Sequence, residues 1–421
     1  MNARQAAYES LTAVTRDGAY TTLALKKYLP SELSEEDKRF AARLVRTTLE
    51  NLIRIDFALS GFIRSGRVHG SVRNVLRLGA CQMLFMDIEP YAAVSESVAM
   101  MKHVKPQMTG FVNAVLRALA KEKDNIRYPQ GQNAQALGVA YSYPKWICEK
   151  YMADFGYDFA QGLLSFNAPH TVILRMNPLK TNAADLEAEM EKMGLSFSKA
   201  RISDAYEVSG LSDIENTDIY QKGWIAVQSE SAMRAVLAAE IQPGSKLLDC
   251  CAAPGGKSAY AAALTGGSIE IVAWDIHEHR IDMMRKNYAR LGVNARAGEH
   301  DARVYEPSLS GYFDTVLVDA PCSAMGLMSH NPDIRFARKP EDITALSLLQ
   351  KEILTACSGY TKKGGKLVYS TCSINKEENE EVTEDFLQKH DTFSYLKEPV
   401  TLYPHIDGSD GFYVAVMKRN E

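Results

Sequence analysis

Two cysteines follow two apolar runs of strand-like character. The run Phe313–Asp319 leads into Ala-Pro-Cys-Ser with its thiol at Cys322, and the run Lys366–Ser370 leads into Thr-Cys-Ser with its thiol at Cys372. Because the carboxyl ends of parallel strands meet at one edge of a sheet, we expect the two thiols to lie at neighbouring strand ends. A lone cysteine is as often a small buried residue as a reactive one. The pairing therefore favours a catalytic site.

A thiol in this setting can activate a pyrimidine ring. Enzymes that methylate exocyclic amino groups commonly carry Pro-Pro-aromatic after this strand, whereas Cys322 follows Pro321 here, so carbon is the expected target. Carbon 5 of cytosine is a poor nucleophile, and a thiolate that adds to carbon 6 turns the ring into an enamine that can attack an electrophilic methyl group. A base then removes the carbon 5 proton and the thiol leaves. The residues alone leave open which thiol attacks.

An acidic side chain ends the first of these runs. Asp319 is placed to hydrogen-bond the N3 edge of the base or to stabilise its protonated form. The catalytic residues expected from the pattern are therefore Cys372, Cys322 and Asp319.

A turn of small residues predicts a cofactor site. The apolar run Leu247–Cys251 leads directly into this turn, and the next apolar run ends in Asp275, twenty positions beyond Gly255. Glycines permit close backbone approach at the ligand side of a sheet, and an acidic side chain at that distance can bind ribose hydroxyls. The pair indicates an adenosine-bearing cofactor. Asp319 is also expected to contact the cofactor. The expected cofactor-contacting residues of the turn are Cys251, Ala252, Ala253, Pro254, Gly255, Gly256 and Lys257.

The turn fits S-adenosylmethionine better than a nucleotide phosphate. The G-x-G-x-x-G spacing of NAD-binding folds is absent, and a phosphate-binding loop would need glycine at position 251, which is Cys251. S-adenosylmethionine carries an amino acid in place of phosphates, so Lys257 and the loop amides could meet its carboxylate.

The elements that must position these residues fall into three parts. In residues 1–130 the apolar spacing is helical, as at Phe40, Leu44 and Leu49, which predicts an all-α bundle. Residues 131–228 mix helix-like and strand-like runs and predict a small α+β module. From residue 229 to 421 strands alternate with helices, which predicts an α/β, Rossmann-like doubly wound domain.

Composition limits the class of protein. The 421 residues are 46% apolar and 24% charged, no run approaches a membrane span, and seven scattered cysteines fit a reducing compartment. We expect a cytoplasmic monomer without a membrane partner. No Cys/His spacing suggests zinc, so no metal is expected. The net charge is −4, but residues 1–125 hold 18 basic against 13 acidic residues, a balance of +5, which weakly favours a nucleic-acid partner.

With these motifs in view, the chain resembles the NusB-fused Sun/Fmu family of bacterial 16S ribosomal RNA cytosine-carbon-5 methyltransferases. The resemblance rests on D-x-C-A-A-P-G-G-K at 249–257, D-A-P-C-S at 319–323 and S-T-C-S at 370–373. Residues 92–96 and 111–117 also resemble the RNA-binding fold of the NusB antitermination factor.

The resemblance implies roles for single residues. Cys372 would be the nucleophile, Cys322 would assist product release, and Asp275 would bind the ribose. An acidic residue before Phe313–Asp319 would contact adenine, with Asp301 as the candidate. The turn around it is looser than the family's usual Gly-Asp-Gly-like turn, so Glu299 is an alternative.

The catalytic motifs do not encode the RNA. The resemblance implies a cytosine in a structured loop of 16S ribosomal RNA, whose base must be unstacked to reach a thiol. The alternatives are the same chemistry on transfer RNA or another ribosomal site, and a non-catalytic RNA-binding or assembly factor that retains the fold.

Overall fold

The computed structural model describes residues 2–63, 68–168, 171–211 and 213–420. The helices in these ranges are α1 Ala3–Asp17, α2 Thr21–Tyr28, α3 Glu35–Glu50, α4 Leu52–Ser60, α5 Gly70–Phe85, α6 Pro90–Val104, α7 Thr109–Glu122, α8 Ala134–Tyr141, α9 Lys145–Phe155, α10 Tyr157–Ser165, α11 Ala183–Lys192, α12 Asp218–Gln221, α13 Glu230–Ala239, α14 Gly256–Leu264, α15 Glu278–Leu291, α16 Ile334–Ala337, α17 Pro340–Ser358, α18 Glu380–Lys389 and α19 Pro404–Asp407. The strands are β1 Val172–Met176, β2 Ser196–Lys199, β3 Ala205–Ser209, β4 Ile225–Val227, β5 Lys246–Asp249, β6 Glu270–Asp275, β7 Arg296–Glu299, β8 Phe313–Asp319, β9 Thr361–Thr371, β10 Phe393–Tyr395, β11 Val400–Leu402 and β12 Phe412–Arg419. Within the described ranges, no helix combines the length and the apolar character that crossing a membrane requires.

The chain forms two compact units. The first comprises Met1–Phe166 and His330–Arg338, and the second comprises Asn167–Ser329 and Lys339–Glu421. The boundary predicted at residue 130 falls before α8–α10, which belong to the first unit. The three-part division at residues 130 and 228 stays a prediction.

The first unit is helical, as the spacing of its apolar residues predicts. Leu44, Val45 and Leu49 of α3 lie in one core with Val75 and Leu76 of α5. Residues three or four apart share one face of a helix, so each helix turns a single apolar stripe toward that core. The all-α prediction for the N-terminal part is confirmed.

A short segment from late in the chain completes the first unit. Within His330–Arg338, the Asp333 carboxylate accepts a hydrogen bond from the Thr21 hydroxyl at 2.9 Å. Arg335 is buried, donates to the Tyr141 carbonyl at 3.2 Å and lies 3.9 Å from the centre of the Tyr143 ring. Both charged side chains are thus paired with polar or aromatic groups inside the unit, as buried charges require.

The second unit contains two sheets. The smaller is antiparallel with the order β2-β3-β1-β4, and Leu186 and Met190 of α11 lie in the core with its strand residues. The larger has eight strands, in the order β10-β12-β9-β8-β5-β6-β7 with β11 beside β12. Strands β7, β6, β5, β8 and β9 are parallel, and β12 runs antiparallel to β9.

Helices cover both faces of the larger sheet. Leu247 of β5 packs in a core with α13, α14 and α15, whereas its neighbour Leu248 packs in a second core with α17 and α18. Successive residues of a strand point to opposite faces, so two apolar neighbours in β5 indicate a strand buried on both sides. The doubly wound α/β prediction is confirmed. The pattern of apolar residues did not predict β7, because its residues Arg-Ala-Gly-Glu lack the apolar character of a buried strand.

Candidate active site

A cavity of about 490 Å³ opens at the carboxyl ends of the parallel strands. It lies where the strand order changes direction, between β5 and β8, which is the position at which open α/β sheets bind ligands. Its volume falls in the range of sites for small molecules. The predicted site residues that line it are Cys251, Ala253, Asp275, Asp301, Asp319, Cys322 and Cys372.

The two thiols meet at one end of this cavity. Asp319 of β8 pairs in register with Ser370 of β9, so the loops after these strands run side by side. The sulfurs of Cys322 and Cys372 lie 3.2 Å apart, and both side chains are partly exposed. The hydrogen bond to Cys372, burial and the negative charges of Cys372 and Glu378 raise the pKa of Cys322 well above its usual value. Either sulfur can donate the hydrogen bond that joins them.

Two glycines fix the backbone behind Cys372. The Gly326 amide donates to the Cys372 carbonyl at 3.0 Å, and the Gly411 amide donates to the Gly326 carbonyl at 2.9 Å. A β-carbon at Gly326 would lie 2.1 Å from the Gly411 carbonyl oxygen and 2.9 Å from that of Cys372. Only glycine permits this approach of three backbone segments.

Asp319 is held in place through both carboxylate oxygens. One accepts from the Lys257 ammonium at 2.5 Å and the other from the Ser370 hydroxyl at 2.8 Å. Burial alone would lower the pKa of Lys257, but the Asp319 carboxylate outweighs it and raises that pKa. The pair places an ordered carboxylate on the cavity wall, and each oxygen keeps a lone pair for a ligand.

The predicted cofactor turn reaches the cavity with part of its length. Gly255 has φ +94°, and a β-carbon there would lie 2.8 Å from the Tyr288 ring, so the turn needs glycine at this position. Ala252 and Lys257 do not line the cavity, whereas Pro254, Gly255 and Gly256 line a separate one of about 300 Å³. Contact of these five residues with a cofactor stays a prediction.

Asp275 lies at the end of β6 with its side chain 4% exposed. Its carboxylate accepts from the His277 amide at 3.1 Å and lies 3.3 Å from the Arg280 guanidinium. Arg280 also donates to the Ala253 carbonyl at 2.9 Å and so links the cofactor turn to Asp275. Arg280 was not expected from the sequence, although its position in the first turn of the helix after Asp275 was an available signal.

The cavity wall beyond Asp275 contains Asp301 and not Glu299. The Asp301 carboxylate pairs with the Arg303 guanidinium at 2.6 Å, and Arg303 lowers the pKa of Asp301. The His300 ring also lines the cavity and packs on Trp274, with 4.1 Å between ring centres. A flat apolar surface beside a carboxylate can receive a purine ring.

A buried arginine supports the cofactor turn from the smaller sheet. Arg175 of β1 is 1% exposed, and its guanidinium donates to the Gly256 carbonyl at 3.0 Å. It also donates to the Gln228 side chain and lies 4.7 Å from the centre of the Tyr260 ring. Burial lowers the pKa of Arg175 to about 10, so it keeps its charge at neutral pH. The smaller sheet thus supplies a buried cation to the cofactor turn.

Asp249, the last residue of β5, is fully buried. Burial, and secondarily the charge of Asp319, raises its pKa to about 7 from an ordinary value of 3.8. Between pH 4 and 7 the unfolded chain gives up this proton while the folded chain keeps it, so the free energy of unfolding falls as the pH rises through this window.

We expect Asp249→Asn to remove this pH dependence. Relative to the wild-type protein, the variant should gain stability between about pH 5 and 7 by on the order of 1 kcal/mol per pH unit. Urea unfolding of both proteins without cofactor at pH 5.5 and 8 measures the difference. An equal difference at the two pH values would show that Asp249 ionises normally in the folded chain.

Of the four remaining thiols, Cys250 also lines the cavity. Cys81, Cys148, Cys250 and Cys357 are buried. Among the described residues no group of three His, Cys, Asp or Glu side chains is arranged to hold a metal ion.

Two family models match the chain. One, described as 16S rRNA methyltransferase RsmB/F, matches residues 236–418, and the NusB family matches residues 1–121. A relative from Bacillus subtilis, described as a probable ribosomal RNA small subunit methyltransferase B, is 32% identical over 99% of this chain and 98% of its own length. A relative from Vibrio cholerae, described as ribosomal RNA small subunit methyltransferase B, is also 32% identical, over 100% of this chain and 98% of its own length.

Solved structures share the fold. The crystal structure of PH0851 is 23% identical, covers 99% of this chain and 98% of its own chain, and superposes with a TM-score of 0.84. A methyltransferase homolog protein from Pyrococcus horikoshii is 28% identical, covers 68% of this chain and 98% of its own, and has a TM-score of 0.58.

Proposed function

Since this chain belongs to the RsmB family of ribosomal RNA small subunit methyltransferases, we propose that it methylates carbon 5 of a cytosine in 16S ribosomal RNA through a covalent bond between Cys372 and carbon 6. The family establishes an S-adenosylmethionine-dependent RNA methyltransferase. The target atom, the covalent step and the residue roles are the proposal. The observation that carries it is the 3.2 Å approach of two thiols on the wall of a ligand-sized cavity.

The cavity residues fit S-adenosylmethionine. The buried Asp275 carboxylate suits ribose hydroxyls, and Asp301 beside the His300 ring suits adenine, which favours Asp301 over Glu299. The turn of Cys251, Ala252, Ala253, Pro254, Gly255, Gly256 and Lys257 would hold the amino-acid end. When bound, S-adenosylmethionine supplies an electrophilic methyl group.

The two thiols take different roles because their environments differ. The raised pKa of Cys322 disfavours its thiolate, which together with the resemblance of S-T-C-S at 370–373 to the family motif supports Cys372 as the sulfur that attacks carbon 6. The new carbon–sulfur bond places an electron pair at carbon 5 for methyl transfer. When a base then takes the carbon 5 proton, the electron pair of the carbon–hydrogen bond restores the double bond and the Cys372 sulfur leaves with the electron pair of the carbon–sulfur bond. Cys322 is placed to donate a hydrogen bond to that departing sulfur.

Asp319 would hold the cytosine ring. Its two oxygens are oriented by Lys257 and Ser370 and face the cavity near both thiols. A fixed carboxylate at the N3 edge stabilises the protonated ring as carbon 6 is attacked, and it does so without reorganising. We assign Asp319 to this role.

The substrate assignment follows the family and the helical N-terminal part. We propose a cytosine in a structured loop of 16S ribosomal RNA, whose base is unstacked to enter the cavity. The proposed organisation is a NusB-like RNA-binding domain at 1–130, an α+β module at 131–228 and a methyltransferase domain at 229–421. We further propose that the protein acts as a cytoplasmic monomer that uses no metal.

Methyl transfer to three RNAs in parallel tests this function. Tritiated S-adenosylmethionine is supplied with naked 16S RNA, assembled small subunits or transfer RNA, and bisulfite sequencing locates the methylated cytosine. We expect label at carbon 5 of a 16S cytosine. Label confined to transfer RNA would overturn the substrate, and no label on any RNA from a cofactor-binding protein would favour a non-catalytic assembly factor.

A further inference from the structure

A fully buried carboxylate lies behind the two thiols, outside the cavity. Glu378 is 0% exposed and ends a short 3-10 helix, Lys376–Glu378, that follows the Cys372 loop. Among the ion pairs of the described residues none involves Glu378, and the groups bonded to its carboxylate are neutral. A buried carboxylate without a cation is costly unless several donors satisfy it, so its contacts need an explanation.

Glu378 bonds to the residue that follows each thiol. One oxygen accepts from the Ser323 amide at 2.7 Å, and the other accepts from the Ser323 hydroxyl at 2.5 Å and the Ser373 hydroxyl at 2.6 Å. Asn375 and Gln350 add side-chain amides at 2.9 and 3.2 Å. One carboxylate thus joins the loop that carries Cys322 to the loop that carries Cys372.

We propose that Glu378 is a positioning residue that sets the distance between the two sulfurs and thereby controls release of the methylated base. The inference rests on the proposed function, because it concerns the second stage of that reaction. Hydrogen bonds to a charged acceptor are stronger than those between neutral groups. Three such bonds link Glu378 to Ser323 and Ser373, one serine in each of the two neighbouring loops. The proximity of the sulfurs is therefore built into the protein interior rather than left to the mobility of surface loops.

The two loops depend on Glu378 to different degrees. The Cys372 loop has other anchors: Asn379 donates to the Ser373 carbonyl at 3.0 Å, and Gly326 donates to the Cys372 carbonyl at 3.0 Å. The Cys322 loop shares the Gly326 bond and is also held by Gln350, which donates to the Pro321 carbonyl at 2.9 Å. It makes two of the three serine bonds to Glu378, through the amide and the hydroxyl of Ser323, whereas the Cys372 loop makes one, through the Ser373 hydroxyl. Loss of the carboxylate should therefore displace Cys322 more than Cys372, which leaves attack on carbon 6 possible and slows release.

The expected signature is an adduct that accumulates although Cys322 is present. We expect Glu378→Gln and Glu378→Asp to lower turnover by about 100-fold, since a misplacement of about 1 Å costs roughly that much. With 16S RNA and S-adenosylmethionine, both variants should show a protein–RNA band on a denaturing gel that the wild-type protein clears. Cofactor affinity, measured by calorimetry, should stay within about twofold of wild type. Glu381→Gln makes the same chemical change at an exposed position of α18 and should behave as wild type.

Two outcomes would overturn the inference. One is normal turnover in the Glu378 variants. The other is loss of turnover with no adduct, whether or not cofactor binding is kept. A purely structural role would give that second result, because it reduces both attack on carbon 6 and release of the base. Cys322→Ala, run on the same gel, distinguishes failure of the positioning role of Glu378 from failure of the proposed function. If Cys322→Ala traps RNA but the Glu378 variants do not, only the positioning role is lost. If neither traps RNA, the covalent function fails.

Discussion

Cys372→Ala is expected to abolish methyl transfer, to below about one thousandth of the wild-type rate, while cofactor binding is kept. Without the sulfur no bond forms to carbon 6, and carbon 5 stays a poor nucleophile, so the loss falls on the chemical step. Cys372 lines the cavity beside Cys322, whereas Asp275, the proposed ribose contact, ends a different strand, β6. Tritium transfer to 16S RNA and calorimetry with S-adenosylmethionine measure the two properties separately.

Cys81→Ala is the matched control for this variant. Cys81 is buried in the core of the helical unit and lines no part of the cavity, so its replacement should leave the rate of methyl transfer nearly unchanged. Substantial methylation by the Cys372 variant would remove Cys372 from the role of nucleophile.

Cys322→Ala is expected to trap a covalent protein–RNA adduct that survives denaturation. Attack by Cys372 and methyl transfer do not need the second sulfur, whereas departure of Cys372 loses the donor that lies 3.2 Å from it. Formation of the adduct should not need S-adenosylmethionine, which is required only to methylate the trapped base. A shifted band on a denaturing gel reports the adduct. Multiple-turnover methylation should fall by about 100-fold or more.

The double replacement of Cys322 and Cys372 by alanine serves as the control and should give no shifted band. If the Cys372 variant, and not the Cys322 variant, gave the band, the roles of the two thiols would be reversed. The raised pKa of Cys322 argues against that reversal, because it disfavours the thiolate that the attack requires.

The strand ends of the site were predictable because their residues follow one another directly in the chain. Asp275 and Asp319 each close an apolar run, and buried parallel strands are the elements that such runs specify most strongly. From those ends, the rules of open α/β sheets suffice to bring Cys322 and Cys372 to one edge.

The groups that reach back to the site from other elements were not predictable. Glu378 stands among several acidic residues, and nothing in that run marks the one that turns inward. His300 carries no spacing signal, and β7 is too short and too polar to be recognised. In each case the role depends on tertiary contacts with a distant loop, which periodicity does not encode.

Tertiary contacts also decide which of the two units a segment joins, and for that reason the sequence did not predict it. Helices α8–α10 carry ordinary helical spacing, but a sequence pattern does not say which core a helix joins. Residues His330–Arg338 belong to the first unit although the chain around them belongs to the second. Local pattern fixes the type of an element more firmly than its partners.

The most direct test of the covalent mechanism uses the wild-type protein and RNA that carries 5-fluorocytidine at the target position. A fluorine at carbon 5 cannot leave as a proton does, so the ring stays bonded to the attacking sulfur after methyl transfer. Digestion and mass spectrometry of the adduct identify that sulfur. We predict a peptide containing Cys372 that carries the fluorinated, methylated nucleotide. A nucleotide attached to Cys322, or steady methylation of normal RNA with no adduct on the fluorinated one, would contradict the mechanism.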